Sequence, residues 1–416
     1  MILLLRCRSK QVNIQLFYFA IILLLTACQT SAIFTPPNQS ADAAVSGSSS
    51  TRHPTIVDFW EGTAHFTIDI VDTGLPMGES DTLSLSHLPE QLDGANRTVG
   101  ETLRSYVHAS QQSAAVYDSC GDAVAFPGCT VIYQSSDGGD SFSIMADSQQ
   151  SPTCLLSCAT CPCVSERDHI DQQQYPRVVT NGKSWWMVYE YRANVMLRRS
   201  VDGLKWSAPE MIPMTGIWQD WFTSCQPEER IGPHPFAPAT YNCLVGGPPG
   251  LFLDDETLYI FVGLGQNPGS MGCYRGDAYA NSALFRKCSH NPLFRGVESY
   301  GPLDENGAET NSYFDFRTIS SAELLKVGKR YYMFYEGVRG PKAGDGGDTQ
   351  FGLGLARSLT DQIDGPWERF GGNPLLIDQP GNVGVGHADV VRMAGQIWLY
   401  TSVDGVVRSR LKLEWK

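Results

Sequence analysis

Phe314–Ile377 reads FDFRTISSAELLKVGKRYYMFYEGVRG, then a Gly/Asp-rich loop, then FGLGLARSLTDQIDGPWERFGGNPLLI. The stretch predicts four short strands: Ser320–Val327, Arg330–Gly337, Phe351–Ser358 and a stub near Pro366–Phe370. Turn residues separate them, at Gly328-Lys329, Gly344–Asp348 and Asp364-Gly365-Pro366. Short β-rich runs bounded by Gly, Pro, Asn and Asp form antiparallel sheet. One four-stranded sheet cannot bury both of its faces, so the unit calls for copies of itself elsewhere in the chain.

The second strand does recur. SWWMVYEY (Ser184–Tyr191), TLYIFVG (Thr257–Gly263) and RYYMFYEG (Arg330–Gly337) place Trp186, Tyr259 and Tyr332 at intervals of 73 residues. QIWLYT (Gln396–Thr401) adds Trp398 after a further 66. The third strand and its turn recur as IYQSSDGGDSF (Ile132–Phe142) and LRRSVDGLKW (Leu197–Trp206), and Arg357–Trp367 is a looser copy. In Ser-x-Asp-Gly the Asp caps its own turn, the Gly takes positive φ, and the following aromatic pins the turn to the sheet. Asp137 and Asp202 are accordingly structural. Four-stranded units of about 65–73 residues are the size of propeller blades, and residues 56–416 accommodate about five.

The expected fold is therefore all-β, a five-bladed β-propeller of four-stranded antiparallel blades, with a β-sandwich as the alternative. Blade 1 is expected over Arg104–Met145, blade 2 over Gln174–Ile212 and blade 3 over Cys243–Arg295. Blade 4 is the stretch quoted first, and blade 5 is Gly384–Trp415. Ile56–Val71 alternates apolar and polar residues. It reads as a strand that closes the ring by joining the short last blade.

The N-terminus reads as targeting sequence. Arg6, Arg8 and Lys10 precede the apolar run Leu16–Leu25, which has signal-peptide length and is short for a membrane span. Leu25-Thr26-Ala27-Cys28 resembles the bacterial lipobox, which implies lipidation at Cys28 and a lipid anchor at the cell envelope. Residues 1–28 are then a lipoprotein signal, 29–55 a flexible tether and 56–416 the propeller. An ordinary secretory signal is the alternative, and it too implies export.

Of 12 Cys, ten remain after Cys7 and Cys28, an even number that suits an oxidising compartment. Expected local pairs are Cys120–Cys129, Cys225–Cys243 and Cys273–Cys288. Cys154, Cys158, Cys161 and Cys163 read as two disulfides of undetermined pairing, with zinc as the alternative. The net charge of −13, with no basic run after the signal, argues against nucleic acid as a partner. A monomer is expected. No GxGxxG, P-loop or HExxH motif is present.

YYMFYEG followed by FGLGLARSLTD…GPWERFGGNPLL resembles the five-bladed β-propeller glycoside hydrolases and their relatives, the arabinanase/β-xylosidase, invertase/levansucrase and mannoside-phosphorylase families. The resemblance covers roughly Asp171–Lys416. It implies a carbohydrate substrate, no required cofactor, and acidic side chains on the innermost strands around a central funnel. One carboxyl would protonate the leaving oxygen and another would act as base or nucleophile. The catalytic candidates are Asp171, Asp315 and Glu323. Arg317 accompanies Asp315, and Gly386-His387-Ala388-Asp389 resembles a funnel-floor segment. There the family's His helps hold an axial cation or water, which makes His387 and a structural calcium the corresponding expectation. Two departures stand out: the family's Asp-Pro pair is absent after Asp171, and blade 3 carries GGPPG (Gly246–Gly250) where an acid is expected.

The recurrent Glu190 and Glu336 read either as substrate-binding or as scaffold, bonding an adjacent blade. Trp218 and Trp221, in the long insertion Pro213–Asn242, suit stacking on sugar faces or packing of that insertion. The functional expectation is an exported, lipid-anchored glycosidase. The alternatives are a non-catalytic glycan-binding lipoprotein and a sialidase, the latter drawing on Arg177, Arg192, Arg317 and Arg339.

Overall fold

A computed structural model describes residues 52–75, 83–86, 103–109, 129–145, 174–191, 194–213, 245–264, 269–296, 313–316, 318–339, 350–377, 385–393, 395–403 and 407–416. A short helix, α1 (Ile56–Trp60), comes first, followed by β1 (Ala64–Ile70). Blade 1 is β2 (Leu83–Ser86), β3 (Leu103–Ala109), β4 (Cys129–Ser135) and β5 (Ser143–Ile144). Blade 2 is β6 (Gln174–Thr180), β7 (Trp185–Tyr191), β8 (Asn194–Ser200) and β9 (Glu210–Met211). Blade 3 is β10 (Val245–Asp254), β11 (Thr257–Leu264), β12 (Ser270–Asp277) and β13 (Arg286–Lys287), with β14 (Phe294–Arg295) also on β12. Blade 4 is β15 (Thr318–Val327), β16 (Arg330–Arg339), β17 (Gln350–Ser358) and β18 (Trp367–Arg369), with β19 (Leu376–Ile377) also on β17. Blade 5 is β20 (Asp389–Met393), β21 (Gln396–Ser402), β22 (Arg408–Trp415) and the N-terminal β1.

All blade pairings are antiparallel, and the first strands of the blades touch in a closed cycle: β2 with β6, β6 with β10, β10 with β15, β15 with β20, and β20 with β2. This is a five-bladed β-propeller. Its apolar interior is divided accordingly. Five hydrophobic clusters lie between consecutive blades, including one between blades 5 and 1. RYYMFYEGVR shows why the second strands are apolar on both sides. Strand alternation sends Tyr331, Met333 and Tyr335 toward blade 3 and Tyr332 and Phe334 toward blade 5. A sheet covered on both faces reads as a continuous apolar run rather than an alternating one.

The ring closes as expected, with β1 paired to β22. The expected strand Ile56–Val71 is corrected at its start, where Ile56–Trp60 is helical. The Thr55 amide and hydroxyl both donate to Asp58 at 2.7 Å, a local cap that outcompetes extension. Blade 1 also begins earlier than Arg104, since Leu83–Ser86 supplies its first strand.

The Ser-x-Asp-Gly turns have the expected interior. Asp137 accepts from the amides of Asp140 and Ser141 at 3.0 Å, and Asp202 from those of Leu204 and Lys205 at 2.8 Å. Each turn also receives a tyrosine from the preceding blade. Tyr106 donates to the Gly203 carbonyl at 3.0 Å and Tyr400 to the Gly139 carbonyl at 3.1 Å. Gly203 and Gly139 have positive φ, and a Cβ at either would strike the visiting phenol. The repeated turn is therefore an inter-blade lock.

Candidate active site at the propeller axis

The register of each first strand against its second strand defines equivalent positions around the axis. Arg177 pairs with Val188, Gly250 with Phe261, Glu323 with Phe334 and Asp389 with Tyr400. Each partner lies two residues beyond the repeated aromatic of its blade, so the four occupy one ring. Their spacings, 73, 73 and 66, reproduce the aromatic repeat. From blades 2 to 5, the described members of the ring are thus one guanidinium, two carboxyls and a glycine.

Arg177 spans it. Its Nη1 donates to the Asp389 carboxylate in blade 5, and its Nη2 donates to Ser321 Oγ in blade 4 at 2.7 Å. Glu323 Oε2 lies 3.8 Å from the same Nη1. Neither blade 4 nor blade 5 is adjacent to blade 2, so these contacts cross the axis. Arg177 and Asp389 are both 1% exposed, whereas 19% of the Glu323 side chain meets solvent. Withdrawal from water pushes the Glu323 carboxyl up to about 8; Arg177 opposes that shift and Asp389 reinforces it. Glu323 is therefore both protonated at neutral pH and reachable.

Bulges aim the neighbouring residues. The first strands shift register between Gln174 and Arg177 and between Ser320 and Glu323. At these bulges Tyr175 and Ser321 adopt φ of 56° and 51°. Positive φ at non-glycine residues costs energy and persists only where the surroundings over-determine it. Tyr175 sits where the Asp-Pro pattern would put its acid. Its ring meets His387 edge-on, with centroids 5.5 Å apart. His387 Nε2 is 2.8 Å from Glu336 Oε2, and Ser320 donates to Glu336 Oε1 at 2.8 Å. Gly386 packs against Glu336, with no room for a Cβ. A second layer thus joins blades 2, 5 and 4 beside the Arg177 layer.

The structure brings Glu323, Asp389, His387 and Glu336 together around the axis. Glu336, buried and bonded to blade 5, matches the scaffold alternative. Glu190 is buried at the equivalent position of β7, opposite Gln174. Asp315 is placed differently. It accepts from Tyr335 at 2.9 Å and pairs with Arg369 at 2.7 Å, tying the entry of blade 4 to its second and fourth strands. Asp171, Arg317, Trp218, Trp221 and Cys28 lie outside the described residues. So do Cys120, Cys225, Cys243 and the cluster Cys154, Cys158, Cys161, Cys163, and the side chain of Cys129 is not described either. Cys273 and Cys288 form the expected disulfide. Among the described residues, no group of three or more His, Cys, Asp or Glu side chains is arranged to hold a metal ion.

Motif comparison names neither Ser321 nor Tyr175, names Arg177 only for the sialidase alternative, and names Gly250 only as the end of GGPPG where an acid is expected. The signal that places Arg177 and Gly250 in the ring is phase, because counting 73 back from Glu323 lands on Gly250 and then on Arg177. The glycine in blade 3 has a steric reason. A Cβ at Gly250 would overlap the backbone carbonyl of Ala322 in blade 4.

The fold and this ring define a five-bladed propeller with an acidic, arginine-bridged axis. No protein-family model and no curated protein matches the chain. Solved structures similar to it in fold include three enzymes. The GH43 protein BlXynB of Bacillus licheniformis is 14% identical with a TM-score of 0.44, covering 85% of this chain and 55% of that one. An α-L-arabinanase of Cellvibrio cellulosa is 14% identical with a TM-score of 0.43, covering 84% and 94%. An endo-1,4-β-xylanase of Bacteroides thetaiotaomicron is 13% identical with a TM-score of 0.44, covering 84% and 97%.

Proposed function

We propose that this protein is an exported, lipid-anchored glycoside hydrolase acting on an oligosaccharide or polysaccharide, with Glu323 as its general acid. One observation carries the reading: of the two described ring carboxyls, Glu323 is the one with access to solvent, and burial pushes its carboxyl up to about 8. A protonated carboxyl at the axis can deliver a proton to the leaving glycosidic oxygen. Asp389, buried on Arg177, supplies negative charge behind Glu323 rather than contact with the sugar. The base or nucleophile is assigned to Asp171, three residues ahead of β6. Asp315 has a structural part, since Tyr335 and Arg369 occupy its carboxylate.

The anchor part of the proposal rests on the sequence Leu25-Thr26-Ala27-Cys28. No helix among the described residues is long and apolar enough to cross a membrane. A Cys28→Ala variant should leave the membrane fraction and lose incorporation of labelled fatty acid. Unchanged fractionation and labelling would sink the anchor.

A second reading, a non-catalytic glycan-binding lipoprotein, is favoured by the ring composition. Gly250 stands where blade 3 could carry an acid, and Asp389 is neutralised by Arg177. The two readings separate on a broad panel of oligo- and polysaccharides assayed for new reducing ends. Turnover lost in Glu323→Gln supports the hydrolase. Binding without turnover, equal in wild type and Glu323→Gln, supports the binder.

A further inference from the structure

We infer that Arg177 is a positioning residue that divides the labour between the two ring carboxyls, seating Asp389 deep in the axis and leaving Glu323 at the solvent side. The inference deepens the hydrolase reading by naming what sets the state of its acid, and it rests on that reading only for its catalytic consequence.

The geometry carries it. Glu323 and Asp389 come from neighbouring blades and hold the same register position, so sequence and strand order alone give them equivalent surroundings. Arg177 breaks that equivalence. Its Nη1 bonds Asp389 directly and stands 3.8 Å from Glu323, too far for a hydrogen bond. The guanidinium cannot swing toward Glu323 freely, because its Nη2 is held by Ser321 Oγ at 2.7 Å. Ser321 is itself fixed by the bulge that gives it φ 51°. Gly250, the remaining member of the ring described with its side chain, allows β10 to close against Ala322 and adds no charge. A guanidinium seats two acceptors at fixed angles, which a point-like ammonium does not.

Among the described residues, the charged groups facing Glu323 are Arg177 from β6 and Asp389 from β20. The Glu336–His387 pair stands at the adjoining register position from β16 and the turn before β20. Opposite outcomes therefore attend the loss of each member. Removing the cation should hold the proton on Glu323 more tightly. Removing the anion should loosen that proton, because the Asp389 charge is one of the causes that raise it.

The test is a titration of glutamate carboxyl carbons by NMR on full-length protein labelled at glutamate, with Glu323→Gln identifying the Glu323 signal. In Arg177→Gln the Glu323 midpoint should rise by about one pH unit or more, and in Asp389→Asn it should fall by a similar amount. Arg177→Lys should lie between wild type and Arg177→Gln. Should Arg177→Gln fail to fold, Asp389→Asn alone decides. A midpoint that stays put or rises in Asp389→Asn overturns the inference, as does an unmoved midpoint in a folded Arg177→Gln. The titration needs no turnover. If the midpoints move as expected while no glycan is cleaved, the hydrolase reading fails and the assignment of Arg177 stands. If glycan is cleaved through Glu323 with midpoints indifferent to Arg177, only the assignment falls.

Discussion

Arg177 in blade 2 donates a hydrogen bond across the propeller axis to Asp389 in blade 5, and both side chains are 1% exposed. The pair joins blades that do not touch as neighbours in the ring. Its members are buried charges, and each is tolerated because of the other. Truncating one leaves an uncompensated charge in the interior, which costs about 3–5 kcal/mol. Arg177→Met should therefore destabilise strongly in chemical denaturation. Adding Asp389→Leu to it should restore much of the loss. Equal and additive losses from the two substitutions would show that the pair is not coupled.

Glu323 makes stability depend on pH in a defined direction. Its carboxyl, ordinarily at 4.5, is raised to about 8 in the folded protein, with burial as the leading cause. Between those values the folded state binds the proton that the unfolded state has released. This contribution to stability is full below 4.5 and declines as pH rises toward 8. Glu323→Gln should flatten that decline, measured as denaturation midpoints from pH 4 to 9. The proposed activity should fall on the alkaline side near pH 8, and a decline indifferent to Glu323→Gln would place its source elsewhere.

Gly203 stands at φ +70°, and a Cβ there would lie 2.6 Å from the Tyr106 hydroxyl. Gly203→Ala should cost about 1–3 kcal/mol through overpacking and backbone strain. Tyr106→Phe should cost about 1 kcal/mol, the worth of its bond to the Gly203 carbonyl. If the double variant loses no less than the sum, the turn is not a lock between blades 1 and 2. Thermal unfolding of the three proteins settles the matter.

Cys273 and Cys288 close a loop of 15 residues within blade 3. Both sulfurs are buried in the cluster shared with blade 4. Replacing the pair by Ala should lower stability by about 3 kcal/mol. The comparison is between oxidised wild type and the double variant, in denaturant without reductant. Identical midpoints would mean that the bridge adds nothing to the fold.

The blades were readable because a strand buried on both faces must be apolar throughout. YYMFYEG and its copies at Trp186 and Tyr259 could therefore not be surface strands. The Ser-x-Asp-Gly turns were readable because their hydrogen bonds close within a few residues, as those of Asp137 and Asp202 do. Closure by β1 followed from the alternating pattern after Ala64, whereas helix α1 was hidden by the same pattern and fixed by Asp58 on Thr55. Asp315 illustrates the limit. An acid just ahead of an inner strand reads as catalytic by position, while its pairing with Arg369, 54 residues later, is not legible in the sequence.

By itself, then, the sequence determined the repeat, the number of blades and the Asp residues that cap each Ser-x-Asp-Gly turn. These depend on burial pattern and on contacts a few residues apart. The tertiary structure decided which carboxyl is sealed against Arg177 and which is left facing solvent. Arg177, Glu323 and Asp389 stand in three different blades, separated by 146 and 66 residues, and meet only when the ring closes. Charge state depends on distance and on exclusion of water, and neither is written in chain order.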